Sequence, residues 1–230
     1  MDYFSQAFIS ALKLILILDK ELYFVVWTSL KISLASVSLT SILCLPLGIL
    51  FSLNRFPGKK SLQNILNTLM ALPTVVVGLL LFGILGRQGP LGELGLLYTQ
   101  VAMIIGQCLL IFPIVLNLVI AGANTADPRI ASTSIVMGAN SFQKNIIFIK
   151  EVRFAMMAAI VAAFGRAIGE VGVAMMLGGN IEGYTRTMTT AIALETSKGE
   201  FEFALALGIL LLLVAYIVNV LMERFNRLNV

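Results

Sequence analysis

Apolar residues in this chain come in long blocks separated by short polar breaks. Residues 62–85, 94–126 and 203–222 contain no charge, 22–53 contains only Lys31, and 154–177 contains only Arg166 and Glu170. A helix that crosses a bilayer needs roughly 20 mostly apolar residues. The pattern therefore predicts an all-α integral membrane protein with five spans, at about 22–53, 62–85, 96–121, 154–177 and 203–222. The first apolar stretch, 3–18, is short and interrupted by Lys13. It reads as an interfacial helix within an N-terminal segment 1–21. A sixth span is the alternative, and would move the N-terminus to the other side without altering the remaining five. No Lys or Arg precedes this stretch and no small-residue cleavage site follows it, so a secretory signal is not expected.

Two connections are too long for simple turns. Residues 178–202 open on Gly178, Gly179 and Asn180, then carry a helix-compatible stretch over 187–197 that ends before Lys198 and Gly199. Residues 122–153 form the longest polar stretch. Asp127 followed by Pro128 fits a helix start, with aspartate as N-cap and proline at the first helical position. Ile130, Ile135, Val136 and Met137 give that helix apolar side chains, and Gly138, Ala139 and Asn140 break it. A second helix from about Ser141 runs on into the fourth span. Apolar side chains in such a loop need a surface to cover: the chain's own helix ends, or a socket in a separate cytoplasmic protein.

Composition narrows the classes. With 59% hydrophobic and 12% charged residues and a mean hydropathy of +0.97, residues 22–230 form one polytopic domain with its core inside lipid. Nine basic residues (Arg55, Lys59, Lys60, Arg129, Lys144, Lys150, Arg153, Arg224 and Arg227) fall on one side of the five spans, against five on the other. That excess puts the C-terminus and the 122–153 loop in the cytoplasm. The net charge of +4 has no basic cluster larger than Lys59 with Lys60, so no nucleic-acid partner is expected. Cys44 and Cys108 lie in apolar runs and read as buried free thiols. The chain has no histidine, which removes Ser-His chemistry and His-ligated metal sites; no metal site is expected.

Charge inside an apolar block is the main chemical signal. An ionisable side chain near a bilayer centre costs about 2.5–3.5 kcal/mol, and persists where it faces protein or a water-filled path. Arg166 and Glu170 are four residues apart and can pair on one helical face. Arg166 either attracts an anion or is tied to Glu170 as a structural pair. Asn180, Thr185, Thr187, Thr189 and Thr190 offer neutral donors on the outer side, with Ser and Thr of the first span deeper in. Lys31, near the outer end of that span, reads as snorkelling to the headgroups. Pro46, Pro73 and Pro113 lie inside spans, as packing kinks or hinges. Gly165, Gly169 and Gly172 have the spacing of close helix packing or of direct substrate contact.

From Leu22 to the C-terminus the chain resembles the membrane subunit of type I ABC importers. The marks are Thr28-Ser-Leu30, Pro46-Leu-Gly48, Arg55-Phe-Pro-Gly58, Ala71-Leu-Pro-Thr74, Val77-Gly78, Phe82-Gly-Ile-Leu-Gly86 and Gln88-Gly-Pro-Leu-Gly92. The resemblance implies a five-span permease core with a cytoplasmic coupling helix that engages an ATP-binding subunit. It implies coupling roles for Asp127, Arg129, Ser132, Met137, Gly138 and Ala139. The family's usual Glu-Ala-Ala is replaced by Ser132-Thr-Ser134, and its later Leu-Pro by residues near Lys150 and Glu151. Gly165-Arg-Ala-Ile-Gly-Glu-Val-Gly172 with Gly178-Gly-Asn180 is similar to the oxyanion branch. Thr185-Arg-Thr-Met-Thr-Thr-Ala-Ile-Ala-Leu-Glu-Thr-Ser-Lys-Gly199 and Lys150-Glu-Val-Arg-Phe154 look most like tungstate-uptake permeases. Arg166, Glu170, Asn180 and Thr187 become candidates for the translocation path.

The resemblance implies an assembly of two permease copies as a homodimer, two cytoplasmic ATP-binding subunits and an extracytoplasmic oxyanion-binding protein.

ATP and magnesium belong on the ATP-binding subunit, and no cofactor is expected on this chain. In agreement, the only near-match to a phosphate loop, Gly58-Lys-Lys-Ser61, lacks its first glycine at Leu53. The expected location is the inner membrane. Molybdate or sulfate is the alternative cargo. A secondary transporter or channel is the rival class, but no internal repeat is evident and the 122–153 loop would lack a purpose.

Overall fold

The computed structural model describes residues 3–54, 56–127, 129, 133 and 136–228. Arg55, Pro128, Ile130, Ser132, Ser134 and Ile135, all singled out above, lie outside the described residues. Among the described residues every regular element is helical. In chain order they are α1 (Tyr3–Leu16), α2 (Lys20–Leu53), α3 (Lys59–Leu69), α4 (Thr74–Leu85), a 3₁₀ turn (Gly92–Leu94) and α5 (Gln100–Asn124). After the 122–153 loop come α6 (Ser141–Ile168), α7 (Gly172–Gly178), α8 (Met188–Lys198) and α9 (Phe201–Leu228).

The bundle is built around α2 and α5. Asp19 starts α2 by accepting the Leu22 N–H at 2.9 Å, and Thr99 starts α5 in the same way on Ala102. The buried side of α2 is unusually polar: Thr28, Ser29, Ser33, Ser36, Thr40 and Ser41 are all buried, and Ser36 faces Gln107 of α5. Small side chains allow close approach between helices in lipid, where apolar burial gives no net drive. A Cβ on Gly48 would stand 2.6 Å from Val119 of α5, so this crossing requires glycine. Pro46 and Pro113 stay within α2 and α5. The main core joins α2, α5, α6, α8 and α9, and a smaller one joins α4, α5 and α7.

Two of the expected spans are broken. Residues 62–85 do not make one helix: α3 starts earlier, at Lys59, and meets α4 at a 95° bend. Pro73 is therefore not inside a span but is the N-cap of α4. Its ring clashes with helical geometry at the preceding residue, and it has no N–H to continue the ladder. Residues 154–177 are also not one helix. α6 runs unbroken from Ser141 to Ile168, the chain breaks at 169–171, and α7 follows as a short helix. Glycines at 165, 169 and 172 weaken the helix. The Glu170 carboxylate then takes the Val173 N–H at 3.1 Å and restarts it. Among the described residues three helices, α2, α5 and α9 as far as Leu221, are long and apolar enough to cross a membrane, and α3 with α4 would add a fourth across their bend.

α1 is 14 residues, about 21 Å long by helical rise and shorter than a bilayer core. It seats Ala7 and Ala11, both fully buried, and Ala11 belongs to the main core. α1 thus shares the main core of the bundle through Ala11.

Candidate functional site

The break between α6 and α7 brings Arg166 and Glu170 together. Arg166 Nη1 lies 2.7 Å from Glu170 Oε2, and the Glu170 side chain is 2% exposed against 39% for Arg166. The carboxylate is thus held from two sides, by the guanidinium and by the Val173 N–H. The Glu170 carbonyl accepts the Thr189 hydroxyl at 2.7 Å, which ties the break to α8. The second break lies alongside: a Cβ on Gly172 would meet Thr74 Oγ1 at 2.8 Å and Val75 Cγ2 at 3.3 Å. Gly172 is therefore a packing glycine. Gly165 is not, since a Cβ there would meet nothing within 4 Å. Ala158, Ala162, Gly165 and Gly169 are exposed on the same face as the half-buried Arg166.

The expected neutral donors are mostly engaged elsewhere. Thr187 is the N-cap of α8, and it closes a reciprocal capping box with Thr190. The Thr187 and Thr189 hydroxyls lie 3.2 Å apart, and all three threonines are buried. The Thr185 hydroxyl donates to the Gly178 carbonyl at 2.6 Å. Ser29, on the first span, accepts the Met188 N–H at 2.7 Å and so helps start α8. These groups shape the segment after α7. Asn180 sits in that turn at φ +50°, with its Nδ2 3.5 Å from the Thr190 carbonyl and its buried Oδ1 without a partner among the described residues. Lys31 is exposed, and it donates to Gln100 Oε1 at 3.0 Å where snorkelling alone was expected.

Two constellations escaped the sequence reading. Gln107 of α5 is 3% exposed, accepts from Ser36 Oγ at 2.9 Å and donates to the Ala167 carbonyl at 3.2 Å. Its signal was an amide near the middle of an uncharged run. Arg186 is buried beside a cavity of about 370 Å³, between Glu21 at 3.1 Å, Glu182 at 3.5 Å and Glu195 at 4.0 Å. Lys198 reaches Glu195 at 3.0 Å. Glu21 is 165 residues from Arg186, so sequence spacing could not join them.

In the 122–153 loop, Asp127 Oδ1 accepts the Arg129 N–H at 2.8 Å, as an N-cap does. Residues 129, 133 and 136 are helical, and Gly138 follows at φ +84°, a left-handed end that suits glycine. Ala139 is half-buried, and Asn140 caps α6 through a capping box with Gln143. Val136 and Met137 are 87% and 82% exposed, so these two do not cover the chain's own helix ends.

Comparison with known proteins fits this architecture. Residues 44–229 match the family described as binding-protein-dependent transport system inner membrane component. The chain is 36% identical over 219 residues to the tungstate uptake system permease protein TupB of Peptoclostridium acidaminophilum, covering 95% of this chain and 96% of that one. It is 37% identical over 227 residues to TupB of Campylobacter jejuni subsp. jejuni, covering 99% and 95%. A solved chain from inward-facing MetNI, a methionine ABC transporter, shares the fold at TM-score 0.74 and 17% identity, over 91% of this chain and 96% of that chain.

Proposed function

This chain belongs to the binding-protein-dependent transport system inner membrane component family, and we propose that it is the permease subunit of an ATP-driven tungstate importer. The observation that carries the path is the exposed small-residue face of α6 with Arg166 on it. A charge on such a face is costly against lipid, so the face turns to protein or water. A second copy presenting the same face would complete the conduit. Glu170 offsets the charge of Arg166, which keeps the path from trapping a divalent anion too tightly to release it.

The power stroke comes from elsewhere. Val136 and Met137 offer an apolar contact to a cytoplasmic ATP-binding subunit, which carries ATP and magnesium. α6 starts three residues after Gly138, and its 28 residues reach about 42 Å, to the Arg166–Glu170 break. A shift of the loop is thus delivered to the break by one rod. Two ATP-binding subunits serve two permease copies, and an extracytoplasmic binding protein delivers the oxyanion. The basic-residue excess keeps the C-terminus and the loop in the cytoplasm.

Proteoliposomes holding the permease with these partners test the reading. Tungstate uptake should require ATP, resist excess sulfate, and be accompanied by cross-linking from Met137→Cys to the ATP-binding subunit. Uptake that persists without ATP hydrolysis would refute it.

A further inference from the structure

We propose that Gln107 is a positioning residue for the Arg166–Glu170 break, fixing its height and rotation against the α2–α5 pair. The proposal rests on the reading of that break as part of the translocation path. Gln107 is buried between three helices, and its amide uses both ends. Oε1 takes the Ser36 hydroxyl of α2 at 2.9 Å, and Nε2 donates to the Ala167 carbonyl of α6 at 3.2 Å. Ala167 follows Arg166 directly, and its carbonyl also accepts the Glu170 N–H at 3.2 Å. One amide therefore holds the peptide that joins the two charged residues. The neighbouring Cys108 thiol donates to the Ser36 carbonyl at 3.4 Å, so α5 grips α2 at the same level.

A purely structural role is a poor account of this amide. Without Gln107, the Ser36 hydroxyl still has the Ile32 carbonyl at 2.8 Å, and the Ala167 carbonyl still has the Glu170 N–H. No buried group is orphaned, so an apolar side chain of similar length fits at little cost to stability. What disappears is the only side-chain hydrogen bond, among the described residues, from α5 to the last turn of α6.

That bond is what sets where Arg166 and Glu170 stand relative to α2 and α5.

The test uses proteoliposomes holding the permease with its ATP-binding and oxyanion-binding partners. Tungstate uptake per ATP hydrolysed is compared for the wild type, Gln107→Met, Glu170→Gln and the double variant, with thermal unfolding of each in detergent. Gln107→Met should unfold with the wild type yet lose about tenfold in uptake per ATP, within the range for residues that couple sites without touching the ligand. The double variant should fall less than about twofold below the weaker single variant, because both substitutions act on one element. Ser36→Ala, which only frees the amide to turn, should give a smaller loss in the same direction. Wild-type uptake by Gln107→Met, or a fully multiplicative double variant, would overturn the proposal. So would loss of folded protein in both Gln107→Met and Ser36→Ala, which would assign the amide to bundle stability. Failure of the wild-type complex to take up tungstate would instead overturn the functional reading beneath it.

Discussion

Removing Arg166 should harm the fold more than removing the charge of Glu170, although the two form one ion pair. The asymmetry follows from burial: the Glu170 side chain is 2% exposed and that of Arg166 39%. Arg166→Met leaves a carboxylate inside the bundle with only the Val173 N–H as partner. Breaking a buried pair in this way costs about 3–5 kcal/mol. Water that reaches the half-exposed side of the pair screens it, which lowers the expected loss to about 2–3 kcal/mol. Glu170→Gln leaves an amide whose oxygen still accepts from Val173, while Arg166 turns towards water, at about 1 kcal/mol. The double variant should be more stable than Arg166→Met alone, since the stranded carboxylate is gone. Thermal unfolding in detergent can be followed by a thiol dye, because Cys44 is buried until the bundle opens. For a chain of this size 1 kcal/mol moves Tm by about 2–4 °C, so Arg166→Met should lower it by roughly 5–10 °C and Glu170→Gln by roughly half or less. Equal losses for the two single variants, or strictly additive losses in the double, would refute the reasoning.

Two further outcomes separate the glycines and the loop. Gly122→Leu should cost about 1–3 kcal/mol, because even a Cβ there collides with Ala155 of α6, whereas Gly165→Ala should be neutral or gain up to about 1 kcal/mol; detergent unfolding of the pair checks both signs. Gly138→Val forces a β-branched residue into φ +84°, at about 1–3 kcal/mol of local strain. ATP hydrolysis by the assembled complex should then continue while tungstate uptake falls, and unchanged uptake would count against a coupling role for this loop.

Block length and local chemistry fixed much of this protein before any packing was known. Apolar runs longer than a soluble core requires made the chain helical and membrane-bound. Asp127, the start near Ser141 and the stretch from Thr187 announced helix starts, since capping depends on neighbours within a few residues. The four-residue spacing of Arg166 and Glu170 permitted their pair. Tertiary structure decided the rest. Hydropathy cannot distinguish one long apolar helix from two that abut at a bend, so the breaks at 70–73 and 169–171 were hidden inside uniform runs. Hydroxyls that looked free along the chain proved to have distant partners, as Ser29 does with Met188, 159 residues away. Gln107 and Arg186 gained their meaning the same way. A polar side chain in lipid must find a partner, but which partner it finds is settled only when the helices pack.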